Sequence, residues 1–402
     1  MKVFVVNCGS SSIKYQLFSM AHENVLAKGV MERVGSDDAK FSHSNGEQDF
    51  DRQVEAPDHS AGMRIIIDAL VDEEMGVLDS IDEIQAVGHR VVHGGEDIHE
   101  AALCEDEVLE AIRKNFLLSP LHNPANLEGI QAAQKALPDK PQVAVFDTAF
   151  FGALPAHAYR YAVPEEWYTE HGVRRYGFHG TSHRYVTRAT ARILDKPESE
   201  VDLITCHLGN GCSMSAIRGG KPVDHSMGMT PLEGLVMGTR SGDIDPAIIT
   251  FMTHQGKDID EVDTALNKQS GLLGVSQRSN DMRDLLNAVE EGDKKAELAV
   301  DMFVYRLVKY IGAYYTILPK VDAVVLTGGI GENSTKVREK LTRKLARLGA
   351  EYDHERNQTT VKGEQGPITA DDCRLPVLIV PTNEELMIAR DTAEVVQKTA
   401  KA

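Results

Sequence analysis

The stretch Asp202-Leu-Ile-Thr-Cys-His-Leu-Gly-Asn-Gly-Cys-Ser-Met-Ser-Ala-Ile-Arg218 decides the fold of this chain. An apolar run from Leu203 to Cys206 leads into the turn His207-Leu-Gly-Asn-Gly211, and an alternating run follows from Ser213. The pattern predicts a strand, a glycine-rich turn and a second strand. Gly and Asn tolerate the left-handed backbone angles that let neighbouring N–H groups point at one anion. The turn is therefore a candidate anion site, although most Gly-Asn-Gly turns are simple hairpins.

The same order opens the chain, in Val3-Phe-Val-Val-Asn-Cys-Gly-Ser-Ser-Ser-Ile-Lys-Tyr-Gln-Leu-Phe18. After each copy, strand patterns alternate with helix patterns, and the two copies lie about 200 residues apart, which suggests a duplicated domain. The 402 residues also exceed what one core usually organises, so two α/β domains are expected. Function should then reside in a cleft between the two copies.

Composition excludes several classes of protein. The formal net charge of −18 argues against binding to nucleic acid or to anionic membranes. No window of 18 apolar residues and no signal peptide occur, so neither a membrane span nor export is expected. The five cysteines include no C-x-x-C pair, which favours a reduced, cytoplasmic protein. A zinc site at Cys206, His207 and Cys212 is not expected, because a strand places neighbours on opposite faces.

The helix with the longest apolar stripe is predicted from Lys294 to Leu318. Its stripe is equally compatible with an internal core and with a subunit interface. The stretch from His225 to Asp245 shows little periodicity and is expected to be irregular.

Five loops follow predicted strands, at the sheet edge where open α/β sheets bind ligands. Together they indicate a nucleotide or polyphosphate site. The loops are Asn7 to Ser12, His207 to Gly211, Gly328 to Ser334, the turn at Asp147 and the turn from Thr382 to Glu384. For the Gly328 loop the alternative is a tight strand-to-helix turn, since its spacing matches neither a P-loop nor a Rossmann fingerprint.

Charged side chains within these segments have two interpretations each. Asp147 and Glu384 follow apolar strands and could hold Mg²⁺ through water, or could cap the helices after them. Arg90, in an apolar strand, and Arg240, in a loop, suit carboxylate or phosphate, but internal ion pairs are the alternative. His179, beside a predicted helix start, could stabilise a phosphoryl group or be structural.

With these residues assembled, the sequence closely resembles the acetate kinase family over essentially its whole length. The motifs that carry the resemblance are Asn7-Cys-Gly-Ser-Ser-Ser-Ile-Lys-Tyr15, Gly88-His-Arg-Val-Val-His-Gly-Gly95, Leu121-His-Asn-Pro124, Val145-Phe-Asp-Thr-Ala-Phe150, Tyr176-Gly-Phe-His-Gly-Thr-Ser-His183, His207-Leu-Gly-Asn-Gly211, Thr230-Pro-Leu-Glu-Gly-Leu235, Gly238-Thr-Arg-Ser-Gly-Asp243, Gly329-Ile-Gly-Glu-Asn333 and Pro381-Thr-Asn-Glu-Glu385. One segment departs from the family's usual His-Gln-Thr-Met-Pro: this chain has Phe151-Gly-Ala-Leu-Pro155.

The resemblance implies an actin-type, ribonuclease H-like fold with a duplicated βββαβαβα core and a nucleotide cleft between two domains. Residues 1–150 with 384–402 would form the first domain, and residues 151–383 the second. It further implies a cytoplasmic homodimer that transfers phosphate reversibly from ATP to acetate, giving acetyl phosphate and ADP. The implied cofactor is Mg²⁺, with Mn²⁺ as an alternative. Propionate or another short-chain acid is the alternative acceptor, and an actin-like or chaperone-like ATPase is a remote one.

The resemblance also implies roles for matching residues. Asp147, His179 and Arg240 would be catalytic, and Asn7 and Glu384 would position the metal. The expected acetate site comprises Arg90, Val92, Leu121, Phe178 and Pro231. The expected nucleotide contacts are Lys14, His207, Leu208, Gly209, Asn210, Gly211, Asp281, Met282, Arg283, Gly329, Ile330, Gly331, Glu332 and Asn333.

Overall fold

Two sheets organise residues 1–120 and 122–400, the part of the chain that the computed structural model describes. The strands are β1 (Lys2–Gly9), β2 (Ser12–Ser19), β3 (Asn24–Glu32), β4 (Ser36–Ser44), β5 (Asp49–Ala56), β6 (Ile84–Val91), β7 (Ala102–Leu103), β8 (Gln142–Phe146), β9 (Leu203–Leu208), β10 (Cys212–Arg218), β11 (Lys221–His225), β12 (Ala323–Thr327), β13 (Gly366–Pro367) and β14 (Val377–Ile379).

Helices connect and cover these strands. They are α1 (His59–Leu70), α2 (Asp106–Lys114), α3 (Asn123–Ala136), α4 (Ala156–Tyr159), α5 (Glu165–His171), α6 (Gly180–Ile193), α7 (Ala247–His254), α8 (Ile259–Lys268), α9 (Gly271–Ser276), α10 (Met282–Glu290), α11 (Lys294–Ile317), α12 (Gly328–Asn333), α13 (Thr335–Lys344), α14 (His354–Thr359) and α15 (Glu384–Thr399). Short 3₁₀ turns lie at Ile81–Glu83, Ala149–Ala153, Glu198–Glu200 and Ala346–Leu348.

The chain divides into two compact units. The first comprises Met1–Gly152 with Asn383–Ala402, and its sheet has the order β5-β4-β3-β2-β1-β6-β8-β7. The second comprises Ala153–Thr382, and its sheet has the order β11-β10-β9-β12-β14-β13.

The two sheets share one central pattern. In the first, β1 pairs antiparallel with β2 and parallel with β6, and β6 pairs parallel with β8. In the second, β9 pairs antiparallel with β10 and parallel with β12, and β12 pairs parallel with β14. The duplication predicted from the two glycine-turn hairpins is therefore confirmed. Ligand-binding loops are expected where β1, β6 and β8, or β9, β12 and β14, end.

Each sheet is covered in part by a helix that follows the last parallel strand of the other sheet in the chain. Helix α6 follows β8 in the chain but packs on β9 and β12 in the second unit. Helix α15 follows β14 but packs on β1, β6 and β8 in the first. A Cβ on Gly88 of β6 would lie 2.3 Å from Thr392 Oγ1 of α15, so this contact requires glycine. Helix α15 is thus part of the first unit.

The stripe predicted on the longest helix lies in the core of its own unit. Phe303, Val304, Leu307 and Ile311 of α11 are fully buried. A different face of α11 exposes three large apolar side chains, Leu298, Met302 and Tyr305. None of the described helices combines the length and apolar character that crossing a bilayer requires.

One strand of the duplicated pattern escaped the sequence analysis. Strand β11 pairs antiparallel with β10 and ends at His225, where irregular structure was expected to begin. It is an edge strand of five residues that include Pro222 and the charged Lys221 and Asp224, so its own pattern is weak. Its pairing is fixed by the hairpin turn at Gly219 and Gly220, which both adopt positive φ.

The buried histidine of β6 generates a prediction about acid stability. His89 is 2% exposed, and its Nε2–H donates to Gln142 Oε1 at 2.8 Å. Burial lowers the pKa of His89 to about 4 from its usual 6.5. As the pH falls, the unfolded chain binds a proton at this histidine before the folded protein does. The contribution of neutral His89 to the free energy of unfolding is therefore present above pH 6.5 and is lost as the pH falls towards 4.

We expect this single group to remove about 3 kcal/mol from the free energy of unfolding between pH 6.5 and 4. In His89→Gln the fall over that range should be smaller than in the unmodified protein by that amount, whatever the absolute stability. Denaturant titrations across the pH range measure it, with the exposed His22→Gln as control. Identical pH slopes for His89→Gln and His22→Gln would contradict the prediction.

Candidate active site

The second unit holds two loops side by side because β9 and β12 run parallel. Their register sets His207 opposite Thr327, the last residue of β12. The loop from His207 to Gly211 then lies against the start of α12. Gly328 makes this approach at φ 75°, and a Cβ there would lie 2.8 Å from the carbonyl oxygen of Leu208. Only glycine fits such a position.

A cavity of about 720 Å³ opens beside these loops. It is amphipathic, since loop backbone and polar side chains share its wall with Met282, Leu286 and Ile330. Eight predicted nucleotide contacts line it: Gly209, Asn210, Asp281, Met282, Arg283, Gly329, Ile330 and Asn333. Its volume and lining suit a small organic ligand with a charged group.

Five further predicted contacts of this unit lie outside that lining: His207, Leu208, Gly211, Gly331 and Glu332. Glu332 has an internal task. Its Oε1 accepts hydrogen bonds from Gly328 N at 2.8 Å, Thr327 Oγ1 at 3.1 Å and Thr382 N at 3.1 Å. The carboxylate therefore ties the loop after β12 to the segment after β14.

Arg240 is a partly buried cation of the second unit. Its Nη1 donates to the carbonyl oxygen of Pro231 at 3.3 Å, and no carboxylate within residues 1–120 and 122–400 forms an ion pair with it. Burial lowers the pKa of this guanidinium. The alternative of an internal ion pair does not hold for Arg240. A partly buried guanidinium without a counterion is a strong indication of an anion site.

His179 faces the same place as Arg240. A Cβ placed on Gly211 would lie 3.5 Å from Arg240 Nη1 and 3.5 Å from His179 Nε2. His179 adopts a left-handed backbone, φ 57° and ψ 29°, immediately before α6. Its ring stacks on that of His207 with centroids 4.3 Å apart, and its Nδ1 lies 2.9 Å from Ser213 Oγ. Strained backbone of this kind persists where a function selects it.

The segment that carries Arg240 docks on the loop after β9. Gly238 N donates to the carbonyl oxygen of Asn210 at 2.9 Å, and Asn280 Nδ2 donates to Asn210 Oδ1 at 3.1 Å. A Cβ on Gly238 would lie 1.9 Å from Asn210 Oδ1. Asn210 thus links the Arg240 segment to the cavity wall.

In the first unit, Arg90 gathers two carboxylates at the ends of the parallel strands. Its Nε and Nη2 donate to Asp147 Oδ2 at 3.1 and 2.7 Å, and its Nε lies 3.9 Å from Glu384 Oε2. The ion-pair interpretation of Arg90 is therefore observed. Asp147 and the neighbouring Glu384 raise the pKa of the guanidinium.

Glu384 is a largely buried carboxylate with a raised pKa. Burial, with the nearby charges of Asp147 and Glu385, raises its pKa to about 7, although Arg90 and Lys14 oppose the shift. It does not cap α15, since Asn383 is the N-cap and accepts from Leu386 N at 2.9 Å. The capping alternative is therefore wrong for Glu384. A raised pKa from burial and like charges is typical of functional carboxylates.

The remaining predicted residues of the first unit lie around this pair. Asn7 of β1 is the cross-strand partner of Lys14 on β2. Val92 is buried directly after β6, and its N–H donates to Asn126 Oδ1 at 3.1 Å. Leu121, expected in the same site, lies outside the described residues. In the second unit, Phe178 is buried and Pro231 contacts Arg240.

Two asparagines that the sequence analysis overlooked fix the segment after β6. Asn126 Nδ2 donates to the carbonyl oxygen of Cys8 at 2.8 Å, which joins β1 to Val92. Asn123 bonds both to His93 N and to His93 O. The signal was available for Asn123, which stands in the Leu121-His-Asn-Pro124 motif at a helix start. Asn126 had no such signal.

Within the described part of the chain, no cluster of three His, Cys, Asp or Glu side chains is arranged to hold a metal ion. A magnesium ion does not require one, because it is often held through one or two carboxylates together with water and substrate phosphates. Asp147, Glu384 and Asn7 offer hard oxygen atoms of that type. Burial is the main cause of the raised pKa of Glu384, and a bound cation would favour its ionised form. The residues present therefore fit Mg²⁺.

The repeated sheets, the phosphate-type loops and the unpaired Arg240 define a two-unit α/β kinase of the actin type. Comparison with known proteins makes the assignment specific. The Acetokinase family matches residues 2–390, and the chain belongs to this family.

Full-length relatives agree with this assignment. The chain is 53% identical to an acetate kinase of Halothermothrix orenii over 400 residues, 99% of this chain and all of that one. The crystal structure of Porphyromonas gingivalis acetate kinase superposes with a TM-score of 0.94 at 44% identity, covering 98% of this chain and 99% of that one. A propionate kinase from Francisella tularensis superposes with a TM-score of 0.91 at 40% identity, covering 98% and 99%.

The close packing of Gly238 on Asn210 predicts a glycine-specific requirement. Gly238→Ala should weaken binding of ADP about tenfold or more, since overpacking costs about 1–3 kcal/mol and here displaces a cavity residue. Isothermal titration calorimetry measures the affinity. Gly312→Ala is the matched control, because a Cβ at Gly312 of α11 meets no atom within 4 Å. Equal ADP affinity in Gly238→Ala and the unmodified protein would refute the prediction.

Proposed function

We propose that this protein is an acetate kinase that transfers the γ-phosphoryl group of ATP directly and reversibly to acetate, giving acetyl phosphate and ADP. For a member of this family, the main support for phosphoryl transfer is the position of Arg240. Among the residues that the structure describes, the guanidinium of Arg240 has no carboxylate partner, and it lies beside His179 Nε2 and the glycine turn at Gly211. Such a pair of donors suits charge that develops on a phosphoryl group in transit.

The second unit would bind the nucleotide. Asp281, Met282 and Arg283, at the start of α10, would contact adenosine together with the loop from Gly329 to Asn333. The loop from His207 to Gly211 would contact the phosphates, because Gly209 and Asn210 line the cavity and Gly211 lies beside Arg240 and His179. The cavity of about 720 Å³ supports this assignment.

Residues of the first unit would bind the carboxylate of acetate and the metal. Arg90 would hold the carboxylate of acetate, and Lys14 would reach the nucleotide phosphates. Mg²⁺, with Mn²⁺ as an alternative, would be positioned by Asn7 and Glu384 and would neutralise phosphate charge when bound. Loss of activity with a chelator and its return with Mg²⁺ test this point; full activity without divalent metal would exclude it.

Asp147 is better suited to positioning than to proton transfer. Acetate is already ionised at neutral pH, so the attacking oxygen has no proton to remove. Asp147 Oδ2 instead accepts two hydrogen bonds from Arg90, which fixes the guanidinium plane. We therefore assign Asp147 the orientation of Arg90 and of the metal.

The acyl group would meet Val92, Leu121, Phe178 and Pro231. Propionate is the alternative acceptor, because the chain is also similar to a propionate kinase. A single methylene in an apolar pocket changes specificity by only about 10- to 200-fold.

The hydroxylamine assay for acyl phosphate decides between these functions. With Mg-ATP we expect kcat/KM for acetate to exceed that for propionate by at least about tenfold, and that for butyrate by more. A tenfold preference for propionate would replace acetate as the substrate. ATP turnover that does not depend on any carboxylic acid would instead favour an actin-like or chaperone-like ATPase.

The two arginines should affect different kinetic constants. Arg90→Ala should raise KM for acetate about 10- to 100-fold, because a paired, substrate-side cation contributes mainly to binding. Arg240→Ala should lower kcat about 100- to 1000-fold, as removal of a transition-state donor does. The exposed Arg64→Ala on α1 is the control. Equal rises in KM with intact kcat in both variants would reject this division.

We also propose a cytoplasmic homodimer. The exposed apolar side chains of α7 and α11, among them Phe251, Met302 and Tyr305, support a subunit contact. All five cysteines are free and buried, which suits a reducing compartment. Sedimentation equilibrium should give twice the chain mass, and a monomer would exclude the dimer. Cell fractionation tests the location.

A further inference from the structure

A line of buried hydrogen bonds ends at His179. His183 Nδ1 lies 2.7 Å from Thr205 Oγ1, and His183 Nε2 lies 2.8 Å from Ser213 Oγ. Ser213 Oγ in turn lies 2.9 Å from His179 Nδ1. Thr205, His183 and Ser213 are each fully buried. The four side chains therefore form a chain, here called the buried relay, that connects β9, α6 and β10 to the candidate anion site.

The relay is directional because each interior member has one proton to give. Burial, with the neighbouring His207, lowers the pKa of His183 well below its usual value, so this ring is neutral and carries a single N–H. Ser213 likewise has one hydroxyl proton. Either all the donors point towards His179, or all point away from it. In the first case Ser213 donates to His179 Nδ1, and in the second it accepts from that nitrogen.

The geometry at Thr205 selects the first direction. If the donors point away from His179, the Thr205 hydroxyl accepts from His183 and must send its own proton to the carbonyl oxygen of Ser215, 3.5 Å away. That distance is too long for an effective hydrogen bond. If the donors point towards His179, the Thr205 proton bonds to His183 Nδ1 at 2.7 Å. Every relay proton then has a short acceptor.

We propose that the buried relay of Thr205, His183 and Ser213 holds His179 as a neutral ring protonated on Nε2. His179 would thus present an N–H to the transferring phosphoryl group, while Arg240 supplies the positive charge. The inference rests on the proposed function for its chemical meaning. Ser213 and His183 are then positioning residues that act through His179.

The surroundings of His179 support a neutral ring. Arg240 Nη1 and His179 Nε2 face the same point at Gly211, so a second positive charge would be repelled. The His207 ring stacks on His179, and the backbone of Phe178 is held by its N–H bond to His225 Nε2 at 3.1 Å. Cys212, next to Ser213 in the chain, is a neutral thiol, because burial raises its pKa to about 12.

A direct test reads the ring protons in the unmodified protein. Nitrogen NMR of histidine-labelled enzyme, assigned with His179→Ala, should show His179 protonated on Nε2 and not on Nδ1. The ring should remain neutral well below pH 6.5, the ordinary midpoint for histidine. A proton on Nδ1 at neutral pH, in either the other tautomer or the charged ring, would overturn the proposal.

Ser213→Ala tests the relay by function. Because the last donor to His179 Nδ1 is lost, kcat should fall about 10- to 100-fold, with KM for acetate and ATP unchanged within about twofold. Protonation of the His179 ring should shift upwards towards pH 6.5. Ser215→Ala is the matched control: Ser215 lies on the same strand and face, is equally buried, and donates to the carbonyl oxygen of Asp224.

The outcomes separate the relay from the proposed function. Equal kcat in Ser213→Ala and Ser215→Ala, or an unchanged His179 titration, would refute the relay even in an active enzyme. If the unmodified protein forms no acyl phosphate, the proposed function fails, while the NMR result still decides the tautomer. Equal losses of thermal stability in both serine variants are expected and would not explain a selective fall in kcat.

Discussion

The parallel pairing of β9 with β12 is the constraint on which the candidate nucleotide site depends. It sets His207 beside Thr327 and so brings two loops, far apart in sequence, to one edge of the sheet. Glycine at position 328 permits the contact with Leu208. The Glu332 carboxylate accepts a hydrogen bond from Gly328 N and so stabilises the loop after β12. The wall of the cavity is therefore a product of strand register. A shift of one residue would move His207 to the opposite face.

Arg90 of the first unit and Arg240 of the second differ in whether a carboxylate neutralises their charge. Arg90 is neutralised by Asp147 and has Glu384 nearby, so its cost of burial is offset within the chain. Arg240 donates to the carbonyl oxygen of Pro231, and no carboxylate among the described residues neutralises its charge. A partly buried cation without a counterion destabilises the free protein but strengthens the binding of an anion. If His179 is neutral as inferred, the field at Gly211 comes from a single fixed charge.

Much of the fold could be predicted because the deciding signals are local. Both glycine turns, the strands around them and the helices with apolar spacing follow from short stretches of sequence. Strand β11 could not be found locally, since an edge strand with Pro222 is specified by its partner. The pairing states of Arg90 and Arg240 also depend on contacts across more than 50 residues or on their absence. The hydrogen bonds from Thr205 through His183 to Ser213 join three elements, and no sequence motif predicts them.

The exchange of covering helices between the two patterns has a consequence for synthesis of the chain. The first sheet is complete once β8 has been made, but the face around Gly88 is covered by α15, which is made after the entire second unit. Until then, the face of β6 at Gly88 lacks its contacts with Ile388 and Thr392 of α15. The nascent first unit should therefore remain open on one side at the ribosome. The first unit can therefore be completed only after the whole second unit has been synthesised.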